Sequence, residues 1–288
     1  MKPAIIVDST ASINEAVKAL DNVFIVDLTV IFEDGSVFED SSQENEQRNF
    51  FDRLKKEEVL PTTSQPSVGQ YYETLNTIIE EGYDTVFAVH LSKEISGTYQ
   101  SATMVLSENS HLIDAYCIDS TAAAVVAEAI VENILQWVDQ GKSAQEINEL
   151  AKWQANRTNI YLMVENLDNL AKGGRLSTTS AMIGNLLKIR PLLYFKDGKI
   201  EVFEKIRTNR RVYQRFYELI EESMQEFPDG VEIRFAHSLA QQEVDKLSAT
   251  IKEKYPDMSI KVNGLSPVIG VHTGVGAIGL AIIPIIKS

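Results

Sequence analysis

The sequence predicts an α/β protein of two domains, a Rossmann-like domain with a parallel sheet over residues 1–155 and a smaller α+β domain over residues 156–288. Three observations support this fold class. Strand and helix patterns alternate in the first half, as in doubly wound parallel sheets. The second half contains a strong hairpin signal with Asp197-Gly198 at its turn. The length of 288 residues suits one large or two medium domains.

In the first domain, helical patterns lie between apolar runs of strand length. Ala4–Val7 is a continuous apolar run, as expected for a strand that is buried on both faces. Asp34-Gly35 predicts a turn. The segment 61–80 contains a polar loop and is a candidate for packing with the second domain. The other predicted strands are Val23–Phe32, Thr85–His90 and Leu112–Ile118, and the predicted helices are Asn14–Leu20, Gln47–Lys56, Val68–Glu81, Thr98–Leu106 and Ala122–Gln140.

The second domain combines a hairpin with helices and single strands. Leu192–Phe195 and Lys199–Ile206 are the two strands of the hairpin, because a two-residue Asp-Gly turn favours close antiparallel pairing. The other predicted strands are Ile160–Val164, Val231–Ala236, Ser259–Val262 and Ile278–Ile283, and the predicted helices are Thr178–Lys188, Val212–Glu226 and Ala240–Tyr255.

Composition excludes several classes of protein. The 27 basic and 41 acidic residues give a net charge of −14, which disfavours general nucleic-acid binding and stable adhesion to an anionic membrane. Transient contact with a membrane is the form of membrane association that this composition still allows. The single cysteine excludes an internal disulfide, and the four histidines show no metal-ligand spacing. Apolar runs near both termini are too short for a signal-peptide core or a membrane span. We therefore expect a cytoplasmic protein without a metal or another cofactor.

Four polar, glycine-bearing segments interrupt these patterns, at residues 61–67, 96–101, 172–177 and 271–276. They supply hydroxyls and backbone donors but no carboxylate pair or thiol, which suits the binding of a small anion. Ser96-Gly97-Thr98 precedes a predicted helix, whose free N–H groups favour an anion, and Thr63 offers a second hydroxyl. Turn and capping chemistry explains the same residues equally well. His272 has either a ligand-site role or a loop-stabilising one.

Two enzyme motifs receive little support. Residues 274–279 match G-x-G-x-x-G, but only nine residues follow Gly279 and none is acidic, so a dinucleotide site is not expected. The glycines more simply allow close approach of the backbone. A serine hydrolase using Ser96 and His272 is conceivable, although residues 94–98 lack the G-x-S-x-G pattern.

Basic residues form a local exception in this acidic chain. Arg175 follows two glycines, and residues 205–211 contain four basic side chains, among them Arg207. Such a segment is either a solvated strand end and helix start or a docking surface for an acidic partner or a phosphorylated group.

Asp8-Ser9-Thr10 and Asp119-Ser120-Thr121 repeat one pattern after two predicted strands. Helix capping explains them, and the alternative is that both strand ends line a crevice at the carboxyl edge of the sheet.

In their order along the chain, these segments resemble the DegV family of bacterial fatty-acid-binding proteins, nearly from end to end. The opening Asp8-Ser9-Thr10 and the turn at Asp197-Gly198-Lys199 fit as well. The motifs that carry the resemblance are Pro-Thr-Thr-Ser-Gln-Pro-Ser at 61–67, Ser-Gly-Thr-Tyr-Gln-Ser-Ala at 96–102, Leu-Asp-Asn-Leu-Ala-Lys-Gly-Gly-Arg-Leu-Ser at 167–177 and Pro-Val-Ile-Gly-Val-His-Thr-Gly at 267–274.

The resemblance implies that one long-chain, palmitate-like fatty acid is buried between the two domains. It further implies that Thr63 and Ser96, the latter beside Gly97, bind the carboxylate and that His272 lies near it. Arg175 and Arg207 match arginines that contact a separate ATP-dependent fatty acid kinase, which makes acyl phosphate for phospholipid synthesis. The protein itself is then not an enzyme. The alternatives are a serine-dependent hydrolase or acyl transferase, and a lipid-responsive regulatory protein.

The chain departs from the family pattern in two places. Ser92-Lys93-Glu94 stands where the family often has Ser-Ser-Gly, and Val275 stands where many relatives have proline. The first change puts the shape of the head-group loop and the choice of partner in question.

Overall fold

A computed structural model describes residues 1–40, 44–165, 167–177 and 190–286 of the chain. The predicted helix Thr178–Lys188 lies outside these residues. In chain order the strands are β1 (Pro3–Asp8), β2 (Val23–Val26), β3 (Thr29–Ile31), β4 (Val37–Glu39), β5 (Thr62–Ser64), β6 (Thr85–His90), β7 (Asp114–Asp119), β8 (Asn159–Met163), β9 (Arg190–Lys196), β10 (Lys199–Ile206), β11 (Val231–His237), β12 (Ile260–Gly264) and β13 (Ile278–Pro284). The helices are α1 (Glu15–Lys18), α2 (Glu44–Leu54), α3 (Val68–Glu80), α4 (Thr98–Glu108), α5 (Val125–Asp139), α6 (Ala144–Arg157), α7 (Asp168–Lys172), α8 (Asn209–Glu226), α9 (Gln241–Lys254) and α10 (Pro267–Thr273).

The first sheet is fully parallel, with the strand order β2-β1-β6-β7. The central strands β1 and β6 are buried at every residue, which explains their continuous apolar sequences. Helices α3 and α4 cover one face of this sheet, and α5 and α6 pack on the other. The predicted parallel sheet is confirmed.

The second sheet is mixed, with the order β10-β9-β8-β13-β11-β12. Its strands pair antiparallel except for β11 and β12. Helices α8 and α9 pack on one face, while the other face shares a hydrophobic core with α5, α6 and the parallel sheet. The predicted hairpin forms β9 and β10. The division into two domains at residue 155 stays a prediction, and that residue lies within α6.

A small antiparallel sheet of order β4-β3-β5 connects the two halves. Its core contains Phe50 and Phe51 of α2 together with Val268 and Val271 of α10. The prediction of one strand over 23–32 is wrong, because the chain passes from the parallel sheet into this small sheet. Leu28 N donates to Ser9 Oγ at the crossing, 3.0 Å away.

Three of the described helices, α6, α7 and α10, were not predicted. A capping box of Ser143 and Glu146 begins α6, and Ser266 caps α10 with Pro267 in its first turn. The first half of the polar loop that the sequence predicted at 271–276 is thus the last turn of α10. None of the helices in the described ranges is both long and apolar enough to cross a membrane.

A buried ion cluster joins α5 to the mixed sheet. The guanidinium of Arg234 on β11 donates to Glu128 Oε2 at 3.0 Å and also bonds Glu132 and Glu232. The Arg234 and Glu128 side chains are only 3% and 2% exposed. Lys261 completes the cluster by donating to Glu132 at 2.6 Å.

Candidate functional site

A cavity lies between the two large sheets, with an empty volume of about 810 Å³ including its mouth. Its walls are mainly apolar side chains from α5, α10 and the strands β8, β9, β10, β11 and β13. Four of the residues singled out from the sequence also line it: Thr63, Ser96, Arg175 and His272. The fold therefore brings together side chains from all four polar segments. A large apolar pocket with few polar groups is the usual form of a small-molecule site.

Thr63 and His272 are hydrogen-bonded to each other across the chain. Thr63 lies on β5 opposite Val30, and its Oγ1 is 2.9 Å from His272 Nε2. His272 lies in the last turn of α10. At the other end of this helix, Val268 N donates to the buried carboxylate of Asp40 at 2.9 Å. The small sheet thereby fixes both ends of the segment that carries His272.

The other ring nitrogen of His272 packs against Gly173. Nδ1 is buried and has no hydrogen-bond partner. A Cβ atom at position 173 would lie 2.4 Å from it, so only glycine leaves room for the ring. Asn169 Nδ2 donates to Val271 O at 2.9 Å and fixes α7 against α10.

Ser96 and Gly97 lie directly before α4. Ser96 Oγ is 2.8 Å from Thr98 Oγ1 and accepts from Thr98 N at 3.3 Å. The amide of Gln65 packs on Gly97, where a Cβ would lie 2.1 Å from Oε1, and it donates to Ser101 Oγ at 2.6 Å. Gln65 thus joins the Thr63 segment to the Ser96 segment. The sequence analysis missed this role, whose only signal is that Gln65 is close to Thr63 in sequence.

The two arginines predicted from the resemblance occupy different places. Arg175 is half-buried at the cavity, where Nε donates to Ile95 O at 3.2 Å and Nη1 donates to Gly173 O. Arg207 is exposed after the end of β10 and does not line the cavity.

The electrostatics of the cavity mouth suit a carboxylate. Burial, and secondarily the positive charge of Arg175, lower the pKa of His272 to about 4. The imidazole is therefore neutral at pH 7, and the charge near the mouth comes from Arg175.

Ser96 bonds Thr98 while His272 bonds Thr63, so the pairing that a Ser96–His272 hydrolase needs is not formed. In the described part of the chain, no group of three or more His, Cys, Asp or Glu side chains could hold a metal ion.

We expect His272→Gln to remove the loss of stability that His272 causes as the pH falls from 6.5 to 4. The His272 pKa is about 4 in the folded state and about 6.5 in the unfolded chain, so the unfolded state binds the proton first as the pH falls. The stabilisation that the neutral ring provides is complete above pH 6.5. It is lost as the pH falls to 4, and the loss amounts to about 3 kcal/mol. Urea unfolding of lipid-free protein across this range measures the effect.

The informative quantity is the difference in unfolding free energy between wild type and variant at each pH, because Asp40 changes stability with pH in the opposite direction. Burial raises the pKa of Asp40 to about 7, so its contribution is lost as the pH rises toward that value. A His272→Gln profile parallel to that of wild type would contradict the assignment.

The charged loop residues of this chain lie beside the site. Lys93 Nζ is 3.8 Å from Asp119 Oδ2, and Lys199 Nζ is 3.3 Å from Glu94 Oε2. Ser92 Oγ donates to Gly198 O at 2.8 Å. These contacts connect the loop to β7 and to the β9–β10 turn, and the Ser96 hydroxyl takes no part in them.

Comparisons with known proteins agree with this architecture. The family model described as "Uncharacterised protein, DegV family" matches residues 2–285. A DegV domain-containing protein of Halalkalibacterium halodurans is 34% identical over 280 residues, covering 97% of this chain and 98% of the relative. The protein DegV of Bacillus subtilis is 34% identical over 287 residues, with 97% and 98% covered.

Two solved structures are similar over almost their whole length. The fatty acid binding DegV family protein of Streptococcus agalactiae superposes with a TM-score of 0.91 at 29% identity, covering 99% of this chain and 100% of that one. The crystal structure of DegV from B. subtilis, described as a fatty acid binding protein, gives a TM-score of 0.87 at 32% identity, with the same coverage. The chain therefore belongs to the DegV family.

Proposed function

We propose that the protein binds one long-chain fatty acid, with the acyl chain in the cavity between the sheets and the carboxylate beside Thr63, Ser96, Gly97 and His272. The observation that carries the proposal is one apolar cavity whose polar lining comes from these segments and Arg175. Two DegV structures similar to this chain are described as fatty acid binding, which supports the same ligand class.

The cavity can supply most of the affinity through the acyl chain. Burial of a methylene group is worth about 0.8 kcal/mol, so roughly fourteen methylenes give about 11 kcal/mol before ordering costs. Neutral hydroxyls and a neutral imidazole then select the orientation of the ligand. A carboxylate that is only hydrogen-bonded remains a nucleophile, so one of its oxygens can attack the γ-phosphorus of ATP bound to a partner, with ADP as the leaving group.

The carboxylate is then presented to a separate ATP-dependent kinase, which forms the acyl phosphate. In this scheme the protein is not itself an enzyme. Arg207, which is exposed and is not part of the cavity lining, is the clearer candidate for kinase contact. Arg175 can also contribute, although its bonds to Ile95 O and Gly173 O give it a role in the shape of the cavity mouth.

Native mass spectrometry of the purified protein tests the lipid. We expect one co-purified, unmodified fatty acid in the wild type and its loss in Thr63→Ala/Ser96→Ala, because the carboxylate loses both hydroxyl partners. Thr62→Ala/Ser64→Ala is the matched control, since these hydroxyl residues flank Thr63 on β5 and are exposed. Wild-type protein without lipid, after incubation with palmitate, would overturn the proposal.

A second variant tests presentation to the kinase. Arg207→Ala is expected to retain the fatty acid and to lose most of the kinase-dependent acyl phosphate, because an exposed cation is removed from the docking surface. Arg211→Ala is the control, as Arg211 is exposed in the same segment but is paired with Glu218 at 3.2 Å. Equal acyl phosphate formation in both variants would contradict a docking role for Arg207.

A further inference from the structure

Strand β13 presents residues of increasing size to the core between the sheets. Gly279, Ala281 and Ile283 share one face of the strand, because alternate residues point to the same side. Gly279 and Ala281 line the cavity, whereas Ile283 is 2% exposed, packs in the shared core and is not part of the lining. Side chains on this face therefore increase in size from Gly279 to Ile283, and the part of the strand that lines the cavity ends at Ala281.

Of the two neighbouring strands, β11 shows the same change from open to closed. Gly279 pairs with Leu162 and Ala236, and all three line the cavity. Two residues further along β13, Ala281 pairs on the β8 side with Ile160, which still lines the cavity, and on the β11 side with Arg234, which does not. Arg234 is bound there by Glu128 of α5, and a buried charge pair cannot move aside for an alkyl chain without losing its partner.

The polar end of the cavity lies at the start of β13. Residues 274–277 join α10, with His272 in its last turn, directly to this strand. Ser238, which follows β11, donates to Gly274 O at 2.6 Å and accepts from Ala277 N at 2.9 Å, so the connection is fixed at that edge of the sheet. The direction from Gly279 to Ile283 therefore leads away from the polar end, over about 13 Å.

From this arrangement we propose that Ile283, flanked by the Arg234–Glu128 ion pair, is the end wall that limits the length of the bound acyl chain, and that Ala281 sets its width just before that wall. The inference rests on the proposed fatty-acid binding and makes it specific. It assigns chain-length selection to two residues of β13 that touch no part of the carboxylate site.

Reciprocal variants test this assignment. Each variant, freed of lipid, is equilibrated with an equimolar series of saturated fatty acids from laurate to arachidate, and native mass spectrometry measures which acids are retained. Ile283→Ala is expected to raise the ratio of arachidate to palmitate by about tenfold, which corresponds to the burial of one to two additional methylenes at about fourfold in affinity each. Ala281→Val is expected to shift retention toward laurate by a similar factor.

The matched control is Ile282→Ala. Ile282 is the same residue type on the same strand and is equally buried, but it faces the core under α8 and α9. It should lose comparable stability without a change in chain-length preference. Should Ile283→Ala not fold, Ile283→Val supplies a smaller truncation and Ala281→Val tests the opposite direction.

The outcomes separate the two claims. Retention of no acid by the wild type would overturn fatty-acid binding itself. Suppose instead that the wild type binds, that the Ile283 and Ile282 variants have the same chain-length profile, and that the Ala281→Val profile does not change. This result would overturn only the end-wall assignment. Opposite shifts in the two Ile283 and Ala281 variants would support it.

Discussion

Arg234→Met is expected to lower the free energy of unfolding by about 3–5 kcal/mol, because the change leaves the Glu128 carboxylate buried without its cation. Glu128 would keep only neutral donors, among them Asn263 Nδ2 at 2.9 Å and Asn14 Nδ2 at 3.2 Å. Burial already raises the pKa of Glu128, and the charge of Arg234 opposes that rise. Urea unfolding at pH 7, followed by circular dichroism, measures the loss.

Arg215→Met is a control with matched connectivity. Arg215 on α8 also bonds three carboxylates, those of Glu204, Glu218 and Glu222, but its side chain is 15% exposed and its partners are 34–59% exposed. Water can solvate those carboxylates after the change, so a loss of less than about 1 kcal/mol per pair is expected. Similar losses of stability in the two variants would show that burial does not make the Arg234 cluster contribute more to stability than the exposed Arg215 cluster.

The convergence of the polar segments was expected from the resemblance to the DegV family. Local patterns showed only that each segment lies at a break between strongly patterned elements, and such loops often carry function. Asp8 has the capping role that its motif predicted, and it makes a further contact. It caps the turn through Thr10 N at 3.1 Å, and its second oxygen accepts from Leu91 N at 2.8 Å and bonds His90. Capping and the joining of β1 to the loop after β6 therefore occur together.

Contacts between distant residues were beyond prediction. Glu128 and Arg234 are 106 residues apart, and the local sequence around neither residue indicates the other as its partner. The end of helix α10 was predicted to be a loop because the segment 271–276 is polar and contains two glycines. A third glycine, Gly270, lies inside the helix, although glycine lowers helix propensity. The structure shows the reason for that glycine, since a Cβ would lie 2.3 Å from Cε1 of Phe51. Tertiary packing thus overrides the local preference.

Gly173→Ala is the variant in which local preference and tertiary packing oppose each other most directly. Gly173 has helical dihedral angles, φ −72° and ψ −9°, so alanine alone would stabilise the end of α7 by up to about 1 kcal/mol. Its Cβ, however, would lie 2.4 Å from Nδ1 of His272. The ring must then move, and the 2.9 Å bond from His272 Nε2 to Thr63 Oγ1 is lost.

We expect Gly173→Ala to lose at least tenfold in affinity for palmitate and about 1–3 kcal/mol in stability, through overpacking. Isothermal titration and urea unfolding measure the two effects. Gly69→Ala is the control, because Gly69 lies in the first turn of α3 and its nearest neighbour would be 3.7 Å away. That variant should bind palmitate normally.

A double-mutant cycle with His272→Ala identifies the cause of the stability loss. If the clash with the ring destabilises the protein, adding Gly173→Ala to His272→Ala should cost much less than adding it to the wild type. Equal costs in both backgrounds would place the strain elsewhere, for instance at Asn169 O, which would lie 2.9 Å from the new Cβ. A coupling of more than about 1 kcal/mol would show that Gly173 is required because His272 must lie flat against it to reach Thr63.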